Sequence, residues 1–254
     1  MKRVRVIPSL LIQNGGLVKS IRFKDHKYVG DPINAVKIFN EKGVDEIVIL
    51  DRTAAQTGPH FEKIKDIASE AFMPLGYGGG ISTLDQIKQL ISDGVEKVVL
   101  NTQALKNPGL ISEGAKYVGS QSIVISIDVK KNIFGKYKVF VENGTKNTGI
   151  DPLQHAKDME AAGAGEILLN SIDRDGTFEG FDYNLIHRIS NSIDIPVVAL
   201  GGASTILDFR NAVEHGASAV AAGSMFVFQG PHRAVLISYP SESELKKNLF
   251  SHFN

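Results

Sequence analysis

PLGYGGGISTLDQIKQLISDGVEKVVLNT, residues 74–102, returns later in the chain as PVVALGGASTILDFRNAVEHGASAVAAGS, residues 196–224. Each copy reads in the same order: apolar strand, glycine turn, Ser-Thr helix start, amphipathic helix, Gly stop, apolar strand. A second pair agrees. GDPINAVKIFNEKGVDEIVILD from Gly30 matches IDPLQHAKDMEAAGAGEILLNS from Ile150. Both pairs are offset by about 120 residues, roughly half the chain, which is the signature of a doubled unit.

Working outward, β-rich runs alternate with helical patterns along all 254 residues. Strands are expected at 4–12, 46–51, 73–78, 97–101, 122–128, 166–171, 196–201 and 218–224. Helices are expected at 32–42, 61–71, 83–92, 152–162, 183–191 and 205–215. Asp31-Pro32 and Asp151-Pro152 each place a capping acid before a proline at the first helical position. Gly43, Gly94, Gly163 and Gly216 suit helix ends. Near-continuous Val/Ile/Leu strands belong to a sheet covered by helices. Eight strand–helix units in one domain, 1–254, predict an α/β fold of the TIM, or (β/α)₈, barrel class with a twofold half-barrel repeat. A doubly wound open sheet is the competing architecture, and nothing in it calls for eight strands. The segment 130–148, with its alternating KYKVFVENG, reads as a small hairpin beside the barrel mouth.

Composition narrows the function classes. The chain is 43% hydrophobic and 22% charged, with zero formal net charge. It therefore lacks the broad field of a general nucleic-acid or membrane binder. It contains no cysteine, which excludes disulfides, thiolate metal sites and a cysteine nucleophile. Met1-Lys2-Arg3 is charged but no signal-peptide core follows, and no run reaches the ~18 apolar residues of a membrane span. A cytoplasmic protein without metal or cofactor is the expectation.

In a barrel of this kind chemistry sits at the C-terminal strand ends. Gly78-Gly79-Gly80 and Gly201-Gly202 close the third and seventh strands before helix starts. Asn101-Thr102 and Gly223-Ser224 close the fourth and eighth. Glycine amides and helix N-termini attract anions, so two phosphate cradles are expected on opposite sides of the mouth. Tight turns alone are the plainer reading. After the sixth strand, Asp175-Gly176-Thr177 reads equally as a ligand loop or a surface turn. Asp128 ends the fifth strand and is a candidate general acid/base, with helix capping as the alternative. Lys19 lies in the first strand–helix connection, within reach of a phosphate or of the reacting centre.

VIPSLLIQNGG (6–16) and IVISIDVKKN (123–132) superpose by Ser9 and Ser126, and Leu11 then falls where the second stretch carries Asp128. At the other strand ends, Arg5, Glu46, Lys97 and Glu166 converge on the barrel floor by side-chain parity. Parity alone favours a structural ion-pair ring.

IVILDRTA, PLGYGGGISTLDQ, KVVLNTQALKNPGLI, GSQSIVISIDVKK, GAGEILLNSIDRDGT and IPVVALGGAST together resemble the cyclase subunit of imidazole glycerol phosphate synthase, over essentially the whole chain. The resemblance implies a barrel paired with a glutamine amidotransferase (glutaminase) subunit at its N-terminal face. Ammonia enters through a charged gate, matched here by Arg5, Glu46, Lys97 and Glu166, and reaches a sugar phosphate at the mouth. It implies phosphate contacts at Gly80, Asn101, Thr102, Gly176, Gly202, Gly223 and Ser224. It also implies two catalytic aspartates, of which only Asp128 is present. Leu11 replaces the other, and Asn170 and Leu200 replace small hydroxyl residues. IPSLLIQNGGLVKSIRFKDHKYVGDPINAV and FQGPHRAVLISYPS are similar to a paralogous branch encoded with bacterial surface-polysaccharide genes. That branch implies conversion of a nucleotide-sugar acetamido group to an acetamidino group with glutamine-derived ammonia. A true histidine-pathway cyclase tolerating Leu11 is the runner-up, and a non-enzymatic sugar-phosphate binder the third reading.

Overall fold

The computed structural model describes residues 3–253; Met1, Lys2 and Asn254, and with them part of the charged N-terminal stretch, lie outside. The eight apolar runs form a closed ring of parallel strands. They are β1 (Arg5–Gln13), β4 (Ile47–Asp51), β5 (Leu75–Gly78), β6 (Lys97–Leu100), β7 (Ile123–Lys131), β10 (Glu166–Ser171), β11 (Val197–Leu200) and β12 (Ala219–Ala222). β12 pairs back with β1, so no barrel edge is left open. The expected strands and helices all form, with ends shifted by one to a few residues.

Burial on both faces explains the unbroken apolar strands. One face packs into the barrel through Ile7, Val48, Val99, Val124, Leu168 and Val198. The other packs against the helices, through residues such as Ile49, Tyr77, Val98 and Ile167. The repeated caps fold alike. The Gln86 side chain accepts from the Ser82 and Thr83 amides, at 2.7 and 3.2 Å, and Asp208 accepts from those of Ser204 and Thr205, both at 2.9 Å. Asp31 and Asp151 cap the helices that begin at Pro32 and Pro152.

Three features were not anticipated. The first connection is a hairpin, β2 (Gly16–Ile21) with β3 (Lys24–Gly30), so Lys19 sits on a strand. Its turn holds Arg22 and Phe23 at φ 53° and 62°, a conformation usually signalled by Asn or Gly. Arg22 is held there by donating its amide to the Asp175 carbonyl at 2.9 Å. Helices at Thr102–Lys106 and Gly109–Val118 also form, interrupted by Pro108. A short pair, β13 (Phe228–Gln229) with β14 (Ala234–Val235), precedes a helix at Glu242–Asn248. The hairpin expected after the fifth strand is present: β7 runs on to pair with β8 (Tyr137–Val141), which pairs with β9 (Lys146–Asn147). Among the described residues, no helix is long and apolar enough to cross a membrane.

Candidate active site

The inward positions of the strands stack in layers. Lowest are Arg5, Glu46, Lys97 and Glu166. Lys97 Nζ donates to both Glu46 oxygens, at 3.0 and 2.9 Å, and to Glu166 Oε2 at 2.8 Å. Arg5 pairs with the same two acids. Each acid therefore touches both bases and each base both acids, which forms the alternating ring expected from parity. Burial opposes the charge on Arg5, and the two glutamates more than offset it, so its affinity for a proton rises. Directly above lies a void lined by Ile7, Val48, Val99, Val124, Leu168 and Val198, large enough for about one water-sized molecule.

Above this apolar layer the barrel opens into a cavity of about 870 Å³. Leu11, Leu50, Gly78, Gly79, Gly80, Asn101, Thr102, Ser126 and Asp128 line it. Leu11 and Asp128 therefore face the same space from opposite strands of the ring. Gly80 holds φ +65°, and a side chain there would collide with the Ala54 carbonyl, so close backbone approach demands glycine.

Asp128 is buried, and both its oxygens are held by amides. Asn170 Nδ2 donates to Oδ1 at 3.2 Å and Asn101 Nδ2 to Oδ2 at 3.1 Å. Burial pushes its carboxyl up to about 7; the Asn170 hydrogen bond opposes this, Asp175 adds to it, and the Asn101 bond opposes it again. A carboxyl poised near neutrality can both accept and return a proton. It does not cap a helix.

The second cradle is arranged differently from the first. Gly176, Gly202, Gly223 and Ser224 stand at the C-terminal strand ends, but they do not line this cavity. The β2–β3 hairpin lies over Gly176 and Gly223, whereas Gly202 packs against Gly180 and Arg174. Gly176 lies against the Ser20 carbonyl and Gly223 against Lys19 Nζ, each too close for a side chain. Lys19 is buried, donates to the Ser9 carbonyl at 2.7 Å and is pushed down to about 8 by burial, with Asp175 pulling the other way. Asp175 is itself pushed up to about 6 by burial, against Lys19 and the Ser20 hydroxyl. The Asp175-Gly176-Thr177 segment is thus tied to the hairpin rather than left as a free surface turn.

Sequence reading missed the cavity rim. Phe23 and His26 come from the unforeseen hairpin, Arg52, Glu142 and Asn143 from other loops, and Gln103 and Lys106 from the helix Thr102–Lys106. Phe23 lies on Gly144, whose added side chain would approach the ring to 2.5 Å, so the β2–β3 and β8–β9 turns meet above the mouth. Only the alternating polarity of KSIRFKDHKYV could have flagged this hairpin.

The family described as histidine biosynthesis protein matches residues 5–232. A protein of Pseudomonas aeruginosa named "Putative imidazole glycerol phosphate synthase subunit hisF2" is 52% identical over 248 residues, covering 96% of this chain and 99% of its own. One of Leptospira interrogans, "Putative imidazole glycerol phosphate synthase subunit HisF", is 47% identical over 254 residues, covering 98% and 100%. The "Imidazole glycerol phosphate synthase subunit HisF" of Alkaliphilus metalliredigens is 42% identical over 225 residues, covering 87% and 89%. With its closed barrel, its floor ring and its mouth carboxylate, the chain belongs to the histidine biosynthesis protein family, as an enzyme of the HisF-like cyclase-subunit type related to the hisF2 and hisF3 paralogues.

Proposed function

We propose that this enzyme uses glutamine-derived ammonia to convert the acetamido group of a nucleotide-activated sugar to an acetamidino group, in lipopolysaccharide or other surface-glycan synthesis. The observation that carries the reading is Leu11. It shares a cavity with Asp128 and stands where a second acid would serve cyclisation. A hydrocarbon cannot transfer a proton, and a general acid/base contributes about 10²–10⁴-fold. Amidine formation asks less of the mouth: ammonia adds to the acyl carbon, one carboxylate carries two protons in turn from nitrogen to oxygen, and the oxygen leaves as water. In this reading the Arg5–Glu46–Lys97–Glu166 ring admits ammonia from a glutaminase subunit docked on the N-terminal face. Gly80, Asn101 and Thr102, which line the open cavity, hold the diphosphate, while Gly202, Gly223 and Ser224, with Lys19 and Gly176, form the second cradle across the mouth for another part of the substrate. Asp175 orients Lys19, and the work is done in the cytoplasm.

The test incubates the protein with ammonium and nucleotide-activated acetamido sugars, with and without ATP. The expected product is one mass unit lighter, oxygen having been replaced by NH. Absence of such a product from every sugar in both arms overturns the reading.

A second reading, the cyclase of histidine biosynthesis, is favoured by identity to relatives named as HisF subunits without qualification. Growth without histidine of a cyclase-deficient strain carrying this gene would establish it. A purely binding or glutaminase-activating role would be indicated if Asp128→Asn left all product formation intact.

A further inference from the structure

We propose that Asn170 serves the reaction with both atoms of its amide: Nδ2 positions the Asp128 carboxylate, and Oδ1 receives ammonia as it leaves the apolar layer. The second role rests on the ammonia-using reading above.

The inward series on β10 is Glu166, Leu168, Asn170: floor ring, apolar layer, mouth. Asn170 is therefore the next inward residue of its strand above the hydrocarbon layer. Its neighbours each already accept a hydrogen bond. Asp128 accepts one amide on each oxygen. The Ser126 carbonyl accepts from Asn101 Nδ2 at 2.9 Å, and Asn101 Oδ1 accepts from the Thr102 hydroxyl at 3.2 Å. Asn170 Oδ1 is buried and accepts nothing from the described residues. Such an acceptor is costly and uncommon, and a serine, alanine or leucine would avoid it.

Its orientation is imposed by chemistry. When Asp128 is ionised it only accepts, so Nδ2 faces it and Oδ1 turns away. It turns toward Gly201, at φ +96°, where an added side-chain carbon would stand 2.7 Å from it. Any side chain at 201 would crowd Oδ1 and the Ser171 carbonyl, so glycine there keeps this oxygen uncovered. Ammonia emerging from the apolar layer carries three N–H donors and meets here an acceptor not already in use. One N–H rests on Oδ1. The nitrogen lone pair then forms the C–N bond to the acyl carbon, the carbonyl π pair moves onto oxygen, and Asp128 takes a proton from the nitrogen. A single amide thus holds the nucleophile beside its proton acceptor.

The groups that face Asp128 are Asn101 just beyond β6, Asn170 from β10 and Asp175 beyond β10, with Lys19 of β2 opposite Asp175. Removing the Asn170 donor takes away a hydrogen bond that favours the charged carboxylate, so its titration must move up.

The experiment compares wild type with Asn170→Ala and Asn170→Thr, each first shown to retain wild-type circular dichroism. Carbon-13 NMR of the Asp128 carboxyl reads the first role without any need for turnover. Asn170→Ala should raise its midpoint by about half a pH unit or more, and Asn170→Thr, whose hydroxyl can donate, should restore it. Steady-state kinetics with ammonium chloride at saturating sugar nucleotide read the second. Both variants should raise the KM for ammonium by about tenfold, with the KM for sugar nucleotide unchanged. An unmoved Asp128 titration in Asn170→Ala overturns the positioning role. An unchanged ammonium KM, with only kcat reduced, overturns the receiving role. If wild type makes no product from ammonium, the proposed function and the receiving role fall together, and the NMR titration still decides the positioning role.

Discussion

The two halves of this barrel share a backbone plan and differ at the mouth. Strand by strand, the first half presents Leu11, Leu50, Gly78 and Asn101, and the second presents Asp128, Asn170, Leu200 and Gly223. Leu11 answers Asp128 and Leu50 answers Asn170. One half offers hydrocarbon where the other offers a carboxylate held by an amide. Below the mouth the halves cooperate: Arg5, Glu46 and Lys97 from the first close a ring with Glu166 from the second. The difference separates what a doubled fold conserves from what a reaction needs. Strand burial, glycine turns and helix caps satisfy both copies, whereas only one of them places a carboxylate at the mouth.

The comparison breaks most sharply at Asp128. Asp128→Asn should cut product formation by about 10²–10⁴-fold at neutral pH, measured by mass spectrometry with ammonium as the nitrogen source. Loss of only a fewfold would place the chemistry elsewhere. The pH profile is the next test. In the proposed role of base toward the incoming nitrogen, Asp128 must be ionised, so at saturating ammonia the rate should fall about tenfold per unit below pH ~7 and level off above it. A profile flat from pH 5 to 8 would remove Asp128 from that role.

At the floor, where the halves share one ring, Lys97→Met leaves two buried glutamates facing Arg5 alone. Breaking a buried pair costs about 3–5 kcal/mol, and Lys97 retains some solvent contact, so a loss near 3 kcal/mol, or about 6–12 °C in Tm, is expected by calorimetry. An unchanged Tm would mean that solvent already screens the ring.

Asp128 also marks its half through stability. Its folded carboxyl titrates near 7 and its unfolded one near 4, so the folded state binds the extra proton between those values. Stability from this group is present at low pH and declines as pH rises from about 4 to about 7. Wild type should therefore lose Tm relative to Asp128→Asn across that window. Lys19, held down to about 8, acts in the opposite sense and only above that pH. A Tm difference independent of pH would contradict the burial.

The smallest effect belongs to the hydrocarbon half. Leu11 is only partly buried, so Leu11→Ala should cost no more than about 2 kcal/mol in denaturant unfolding and leave product formation within a fewfold. Leu11→Asp should not by itself restore growth without histidine, because Asn170 and Leu200 still stand where the resemblance implies small hydroxyl residues. Growth from that single change would show that Leu11 alone separates the two activities.

Much of this was legible from periodicity and repetition. The eight strands, their helices and the floor ring follow from local rules: apolar runs, capping residues and the alternation of strand side chains. The β2–β3 hairpin was not legible. Its turn uses Arg22 and Phe23 in a conformation that neither residue prefers, held by contacts to Asp175 and Gly144 more than a hundred residues away. The same hairpin made the two cradles unequal, since it lies over Gly176 and Gly223 and leaves Gly80 open.

By itself the amino-acid sequence determined the barrel, its doubling, and the presence of one strand-end acid, Asp128, whose repeat counterpart is Leu11. These are short-range or additive properties, set by which residues are apolar and at what spacing. Tertiary structure alone decided that Leu11 and Asp128 share one cavity, that Asn101 and Asn170 hold the two oxygens of Asp128, and that Lys19 is buried over the second cradle. Those outcomes depend on distances between strands and loops far apart in the chain, and on the desolvation that follows when barrel closure removes a carboxyl and an amine from water.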